Sequence, residues 1–92
     1  MTAEVRRTFR IHNALGLHAR AATALSKVAA RFEADLRIEK DGQSARPSSV
    51  IELLLLCGQP GSELTVVASG DDAEQAVSAI GKLIADRFGE AS

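Results

Sequence analysis

Two spacings of apolar residues alternate along this 92-residue chain, and their order restricts the folds open to it. From Val5 onward, apolar residues recur at every second position, as on a strand with one buried face. From Ala19 onward they recur every three to four positions, as on a helix with one buried stripe. Continued to Phe88, the alternation predicts the element order βαββαβα. Strands and helices that are apolar on one side pack against each other in a two-layer α+β sandwich.

Local signals predict where these elements begin and end. Asp41-Gly42 indicates a tight hairpin between the second and third strands. Gly70-Asp71-Asp72 is expected to end the last strand and to cap the last helix. The remaining predicted elements are a strand over 5–11, a helix over 19–32, hairpin strands around 36–38 and 43–46, a helix from Ser49, a strand over 63–69, and a helix whose apolar face runs over 73–88.

Length and charge exclude several classes of protein. We expect residues 1–92 to form a single domain, since a chain of this size buries only a modest core. The formal net charge of −1 gives no general attraction to nucleic acid or to an anionic membrane. No apolar run approaches the roughly 18 residues of a membrane span, and the N-terminal residues lack an apolar signal segment. We therefore expect a cytoplasmic protein. Its oligomeric state does not follow from these features, and we take a monomer as the separate expectation.

The cysteine and histidine content gives little sign of metal chemistry. Cys57 is the only cysteine and follows an apolar run, which predicts a buried structural thiol. His12 and His18 are six residues apart and have no second cysteine with which to form a metal site. We interpret His12 as a surface residue and expect no metal and no cofactor.

The segment Gly16-Leu17-His18-Ala19-Arg20-Ala21-Ala22 carries the clearest functional pattern. A good helix begins here without a Ser, Thr, Asp or Asn to cap its first N–H groups. Free N–H groups and the positive end of the helix dipole favour an anion such as a phosphoryl group, and the dipole disfavours imidazolium at His18. Arg20 adds a guanidinium suited to phosphate oxygens, although a cation opposes the dipole there. The junction is therefore a candidate phosphoryl site.

Gly16-Leu17-His18-Ala19-Arg20 resembles the phosphorylation motif of HPr, the histidine phosphocarrier of the bacterial phosphoenolpyruvate-dependent phosphotransferase system. The chain length, the element order and the segment Ala68-Ser69-Gly70-Asp71-Asp72 are similar to that family as well. The resemblance implies an open-faced, four-stranded antiparallel sheet with three helices on one face. In sugar-transport HPr proteins a proline usually follows the arginine, whereas here Ala21 and Ala22 follow Arg20. In this respect the chain is more similar to the nitrogen-regulatory, NPr-like branch.

The resemblance also implies a role for each residue of the motif. His18 would accept a phosphoryl group, at Nδ1 in this family, from phosphorylated enzyme I and pass it to a histidine of an A-type enzyme II domain. Arg20 and the backbone N–H groups of Ala19, Arg20 and Ala21 would stabilise the added charge. Such a protein is a covalent carrier in a relay and not a turnover enzyme.

The second helix is apolar on nearly all sides, although one sheet layer covers only one side of a helix. Helical spacing places Val50, Ile51 and Leu54 on one face, with Leu53 and Leu56 opposite. We interpret the first three as a docking surface for partner proteins, together with Lys27 of the first helix, although an ordinary buried helix is the alternative. The resemblance favours docking, because HPr proteins meet donor and acceptor proteins with this helix and the histidine loop.

Ser49 has two interpretations. The spacing of Ser49 and Glu52 is that of a capping box, in which each side chain bonds the other residue's N–H. Ser49 also matches the regulatory serine of the family, so an HPr kinase/phosphorylase is a candidate partner. The surrounding residues, Arg46-Pro47-Ser48-Ser49-Val50, depart from the usual Asn-x-Lys-Ser-Ile pattern. We therefore expect Ser49 to act mainly as a helix cap.

Two other classes of function are open to such a chain. One is a regulatory binding module that docks partners through the second helix according to its phosphorylation state. The other is an RNA-binding or metal-transfer domain, which would need stacking aromatics on a strand or paired cysteines. With three phenylalanines as its only aromatics and one cysteine, the chain has neither.

Overall fold

The computed structural model describes residues 4–92, which form one four-stranded antiparallel sheet and three α-helices. The α+β class and the order βαββαβα are as predicted, and a short 3₁₀ turn follows the last helix. The elements are β1 (Glu4–Arg10), α1 (Ala19–Ala29), β2 (Asp35–Lys40), β3 (Gln43–Ala45), α2 (Val50–Leu55), β4 (Glu63–Ser69), α3 (Ala73–Ala85) and the 3₁₀ turn (Arg87–Gly89).

The sheet has the strand order β1-β4-β2-β3, so the last strand in sequence lies inside it. In β1, Phe9 pairs with Leu64 of β4, and in β2, Ile38 pairs with Val66 of β4. Because side chains alternate between the faces of a strand, these pairs lie on one face, and the helices cover it. The opposite face is polar, with an ion pair of 2.7 Å between Arg6 and Glu39.

The apolar stripe of α3 forms much of the core above β1 and β4. A Cβ atom at Gly81 would collide with the ring of Phe9, so the glycine lets helix and strand approach closely. Fully buried side chains of α1, the sheet and α3 complete this core, among them Leu25, Ile38, Leu64, Val66, Val77, Ile80 and Ile84.

Two helices end earlier than their apolar periods predict. The first ends at Ala29, and Phe32 packs against the core from the turn that follows. The third ends at Ala85, and Phe88 is buried from the 3₁₀ turn with a positive φ of 56°. In both places an apolar residue reaches the core without being helical, so periodicity alone overestimates the helix length.

Gly70-Asp71-Asp72 ends β4 and places Asp72 at the N-cap of α3, as predicted, although no side-chain hydrogen bond completes the cap. The two carboxylate oxygens of Asp72 instead accept the backbone N–H groups of Glu33 and Ala34, at 2.9 and 2.8 Å. The carboxylate therefore joins the start of α3 to the loop between α1 and β2, which satisfies two backbone donors far away in sequence.

The prediction of a buried Cys57 is wrong, because the thiol is exposed. Cys57 lies just beyond α2 in a left-handed conformation, with φ of 55°. This conformation ends the helix and directs the side chain away from the core. Among residues 4–92, no helix has both the length and the apolar character required to span a bilayer.

Candidate functional site

His18 is the residue immediately before α1, where its ring caps the helix. Its backbone is extended, and Nδ1 accepts a hydrogen bond of 3.3 Å from the backbone N–H of Arg20. The prediction that this helix start has no cap is therefore wrong in one respect, since the histidine itself supplies it. Histidine is an unusual cap, because most N-caps are short oxygen-bearing side chains.

The other ring nitrogen of His18 faces the carboxylate of Glu90, with Nε2 and Oε2 in direct hydrogen-bond contact. A neutral imidazole has one N–H and one lone pair. Because Nδ1 accepts from Arg20, the proton of the neutral ring lies on Nε2 and is donated to Glu90. The His18 side chain is 26% exposed and that of Glu90 is 14% exposed, so the pair lies at a partly open surface.

A buried asparagine holds Glu90 in place. Asn13 is fully buried, and its Nδ2 donates to the backbone oxygen of Gly16 and to Oε1 of Glu90, both at 2.8 Å. These hydrogen bonds lower the pKa of Glu90, first through Asn13 and then through His18, while burial opposes the shift and the charge of Arg20 adds slightly to it. Glu90 is consequently an ionised acceptor near neutral pH.

The chain after α3 folds back to bring Glu90 to the histidine loop. Arg87 and Phe88 both have a φ of 56°, and the strain of such conformations is commonly about 1 kcal/mol or more per residue. Burial of the Phe88 ring offsets this cost. The backbone N–H of Ala14 then donates to the oxygen of Ser92 at 3.1 Å, which holds the segment against the loop.

Sequence reasoning missed Glu90 and Asn13. Glu90 is 72 positions from His18, and the apolar period of α3 continued past the point where the chain turns back. Gly89, with φ of 80°, is the one local sign that the helix has ended. Nothing in the local pattern around Asn13 distinguishes it from an ordinary loop residue.

The remaining predicted phosphate ligands surround Nδ1 at the helix N-terminus. The backbone N–H groups of Ala19 and Ala21 make no hydrogen bond with residues 4–92. The backbone N–H of Arg20 donates to Nδ1 of His18. The Arg20 side chain is exposed and forms no ion pair with a carboxylate of the described chain. An anion at Nδ1 would therefore meet free donors.

Two glycines place α2 beside this loop. Gly16 has φ of 67°, and a Cβ atom there would collide with the carbonyl oxygen of Gly58. The N–H of Leu17 donates to that same oxygen at 2.7 Å. A Cβ atom at Gly58 would lie 2.8 Å from Ile11 and 3.0 Å from Leu17. The histidine loop and the end of α2 thus pack backbone against backbone, an approach that side chains would prevent.

Helix α2 presents exposed apolar side chains next to the histidine loop. Ile51 and Leu55 are 72% and 68% exposed, and Leu54 is 37% exposed; we call these three residues the α2 patch. Leu53 and Leu56 are buried beneath it. Val50 was placed on the exposed face by helical spacing but is half-buried against the core, whereas Leu55 was not assigned to that face.

Other exposed side chains extend this surface. Leu15 of the histidine loop is 70% exposed and was not anticipated from the sequence. Lys27 is exposed on α1 and lines a shallow depression with Ala19, Arg20, Thr23 and Ala24. His12 is exposed, in agreement with its interpretation as a surface residue.

One half of the predicted capping box is present at α2. The Ser49 hydroxyl accepts the backbone N–H of Glu52 at 3.2 Å. The other half of the predicted box is absent, because the Glu52 carboxylate does not bond the N–H of Ser49. It accepts the backbone N–H of Arg46 at 2.9 Å and pairs with the Arg46 guanidinium. The guanidinium, followed by that backbone N–H, lowers the pKa of Glu52. The charged Arg46 guanidinium is a stronger donor to this carboxylate than the neutral Ser49 N–H of the predicted box.

Comparison with known proteins identifies the family of this chain and agrees with its fold. Residues 5–86 match the model of the PTS-HPr family, described as the PTS HPr component phosphorylation site. The chain is 40% identical over 89 residues to phosphocarrier protein NPr of Shewanella violacea, covering 97% of this chain and 98% of that protein. It is 36% identical over 80 residues to phosphocarrier protein HPr of Cupriavidus necator, covering 87% and 90%.

A solved structure shows the same likeness in three dimensions. The crystal structure of HPr-C-His from Thermoanaerobacter tengcongensis matches with a TM-score of 0.90 at 33% identity, covering 96% of this chain and 99% of that one. The fold and the family match define a phosphoryl-carrier protein of the phosphotransferase system. The chain belongs to the HPr family, and the similarity to NPr supports the NPr-like character indicated by Ala21 and Ala22.

Proposed function

We propose that His18 accepts a phosphoryl group on Nδ1 from phosphorylated enzyme I and passes it to a histidine of an A-type enzyme II domain. The observation that carries this proposal is the state of the His18 ring, which has its lone pair at a helix N-terminus and its proton on the side facing Glu90. An unprotonated ring nitrogen is the form that attacks phosphorus, and Nδ1 leaves its hydrogen bond with the Arg20 N–H when it does so. We expect the transfer to occur in the cytoplasm and to need no cofactor.

The start of α1 supplies donors for the charge that transfer brings. A phosphoryl group on the ring adds about −1.5 to −2 charges near neutral pH. The N–H groups of Ala19 and Ala21 are free of partners in residues 4–92, and that of Arg20 would exchange Nδ1 for a phosphoryl oxygen. The Arg20 guanidinium would add a charged donor from the exposed surface. The unfavourable cation in the first turn then has a purpose when phosphate is bound.

The α2 patch is our proposed docking surface for both proteins of the relay. Ile51, Leu54 and Leu55 are exposed on a helix whose other side is buried, and the contact between Leu17 and Gly58 holds that helix beside the histidine loop. Exposed apolar residues grouped at one place are typical of protein contact surfaces. Val50 contributes less than predicted because it is half-buried, while Lys27 and Leu15 extend the surface.

The proposal is tested by incubating the protein with phosphoenolpyruvate and a compatible enzyme I. We expect an acid-labile, base-stable adduct, since a protonated N-phosphorylated imidazole is a good leaving group. The variant His18→Ala should not be labelled, and His12→Ala should be labelled like the parent. Equal labelling of His18→Ala and the parent would exclude His18 as the acceptor. Adding a purified A-type domain then shows whether the phosphoryl group moves onward.

A regulatory binding module is the second candidate function. It is favoured by the α2 patch, which is exposed in the unphosphorylated protein and so is available before any transfer. A partner that binds the parent and His18→Ala with equal affinity would support this function for that partner. A partner that binds the phosphorylated and unphosphorylated proteins with different affinities would instead respond, through the same patch, to whether His18 carries a phosphoryl group.

A further inference from the structure

We propose that Glu90 is a positioning residue for His18: its carboxylate holds the proton on Nε2 and thereby leaves the lone pair on Nδ1. This inference rests on the proposed function of His18, because it concerns which ring nitrogen reacts. It gives a role to the segment after α3, which the predicted site did not include. The comparisons with relatives assign no role to this residue.

Two independent hydrogen bonds require the same tautomer of His18. An ionised carboxylate only accepts, so Nε2 in contact with Oε2 of Glu90 must be the donor. A backbone N–H only donates, so Nδ1 opposite Arg20 must be the acceptor. The ring would lose both bonds in the other tautomer. The lowered pKa of Glu90, caused first by Asn13 and then by His18, keeps the carboxylate in its accepting form.

Asn13 determines which kind of atom the side chain at position 90 must direct towards it. Its amide Nδ2 faces two oxygens, the backbone carbonyl of Gly16 and Oε1 of Glu90, so this nitrogen must be the donor to both. Because Asn13 is fully buried and Gly16 is packed against Gly58, the amide has little freedom to turn. A side chain at position 90 that occupies the place of Oε1 opposite Asn13 Nδ2 must therefore present an oxygen to it.

The same arrangement serves the transfer step itself. The Nδ1 lone pair forms a bond to phosphorus, and the bond from phosphorus to the phosphorylated donor protein breaks with its electron pair moving to the donor atom. The proton on Nε2 stays in place, so the ring gains positive charge as the bond forms. The Glu90 carboxylate lies against that proton and stabilises this charge. Onward transfer is the reverse process, with the electron pair returning to Nδ1.

This geometry predicts an unusual order of effects for two substitutions. In Glu90→Gln the single side-chain oxygen is required by Asn13, so the amide NH₂ is left facing Nε2 of His18. This amide favours an accepting Nε2, whereas the backbone N–H of Arg20 still favours an accepting Nδ1, so part of the ring population shifts to the Nδ1–H form and loses the reactive lone pair. In Glu90→Ala, water replaces the carboxylate and can bond either form of Nε2, while the backbone N–H of Arg20 still favours the Nε2–H tautomer. The nearly isosteric Gln should therefore be more harmful than Ala.

The test combines NMR of the unphosphorylated protein with transfer kinetics. Long-range ¹H–¹⁵N spectra of His18 report which nitrogen carries the proton, and enzyme I with phosphoenolpyruvate reports the transfer rate. We expect the Nε2–H form in the parent, a measurable shift towards the Nδ1–H form in Glu90→Gln, and a smaller shift in Glu90→Ala. The transfer rate should fall roughly tenfold or more in Glu90→Gln and less in Glu90→Ala.

Asp86→Asn is the matched control. Asp86 lines the same shallow depression as Glu90, with His12, Ala85 and Arg87, and makes no hydrogen bond to His18 in the described chain. Losing its charge should leave both the tautomer and the rate unchanged. A melting curve for each variant separates loss of fold from loss of positioning, and Glu90→Ala keeps the test informative should Glu90→Gln fold poorly.

The outcomes also separate this inference from the proposed function. An unchanged tautomer in both Glu90 variants, or a Gln variant that transfers as fast as the parent, would overturn the positioning role. The tautomer is measured without any phosphoryl donor, so it does not depend on the identity of the acceptor. If His18→Ala is labelled like the parent while Glu90→Gln still shifts the tautomer, the proposed function fails and the tautomer assignment stands.

Discussion

Nδ1 of His18 lies 3.3 Å from the backbone nitrogen of Arg20, so the proposed phosphoryl acceptor is also the N-cap of its own helix. Phosphorylation at this atom would replace a ring lone pair with phosphoryl oxygens at the same backbone donor. The helix start would then remain capped in both states of the carrier. The dual role of the ring makes it possible to separate capping from transfer.

The variant His18→Asn should keep the cap and lose the acceptor. Asparagine is among the best N-cap residues, so we expect a free energy of unfolding within about 1 kcal/mol of the parent. Labelling by enzyme I and phosphoenolpyruvate should be absent. Chemical denaturation and the labelling assay measure the two properties separately. Labelling of His18→Asn at the parent rate would place the acceptor elsewhere.

The variant Arg20→Ala should slow transfer while leaving the fold nearly unchanged. The side chain is exposed and forms no ion pair with the described residues, so its loss should change stability by about 0.5 kcal/mol or less. Transfer should be slower because a charged donor to the phosphoryl group is missing. Single-turnover kinetics with phosphorylated enzyme I test this, with Arg31→Ala, at an exposed site beyond the other end of α1, as control. Equal rates for Arg20→Ala and the parent would remove Arg20 from the site.

Opposite effects are expected at adjacent positions of α2. Leu54→Glu should weaken binding to enzyme I roughly tenfold or more and change stability little, because Leu54 lies in the exposed α2 patch. Leu53→Glu should unfold the protein or destabilise it by several kcal/mol, since it buries a charge in the core. Ser78→Glu on the exposed side of α3 introduces the same charge elsewhere. Calorimetric titration and melting curves would contradict the docking surface if Leu54→Glu bound like Ser78→Glu.

Ser49 should be a poor substrate for an HPr kinase. Its hydroxyl is already engaged with the N–H of Glu52, and a phosphate there would lie close to the Glu52 carboxylate. Replacing the cap in Ser49→Ala should cost about 0.5 to 2 kcal/mol of stability. The protein and a conventional HPr should be offered to the same purified kinase. Stoichiometric phosphorylation at Ser49, with an alanine variant as stable as the parent, would indicate a regulatory site in place of a cap.

The ion pair between Glu52 and Arg46 should make stability depend on pH in acid. The pKa of Glu52 in the folded protein is lowered from 4.5, first by the Arg46 guanidinium and then by its backbone N–H. A carboxyl with a lowered pKa stabilises the fold above its ordinary pKa and loses that effect as pH falls through the folded value. The parent should therefore exceed Glu52→Gln in stability at pH 6, and the difference should narrow below about 4.5.

Denaturant unfolding of both proteins from pH 7 to pH 3 measures this difference. The variant Arg46→Ala removes the larger cause of the lowered pKa of Glu52. The difference in stability between the parent and Arg46→Ala should therefore also become smaller as the pH falls. A difference between the parent and Glu52→Gln that stays constant over the whole range would show that the pair does not contribute.

The element order and the faces of most elements could be predicted from the sequence, because they depend on local spacing. A strand or helix must bury its apolar side, and that requirement is already present in the positions of Val5 and Phe9 or of Ala73, Val77 and Ile80. The functional pattern around His18 could be predicted for the same reason, since the absence of a usual N-cap residue from positions 16–19 is visible in the local sequence. The burial of Leu53 and the exposure of Ile51 followed from helical spacing alone.

The partners of the charged and polar side chains depended on the tertiary structure. The carboxylate of the N-cap residue Asp72 bonds two backbone N–H groups of another loop rather than the start of α3, and Glu52 bonds Arg46 rather than Ser49. Each polar group takes the best donor or acceptor that packing brings near, and packing follows from the whole core. Glu90 is the clearest case. Only the turn at Phe88, where burial outweighs an unfavourable φ, brings this carboxylate 72 positions back along the chain to His18.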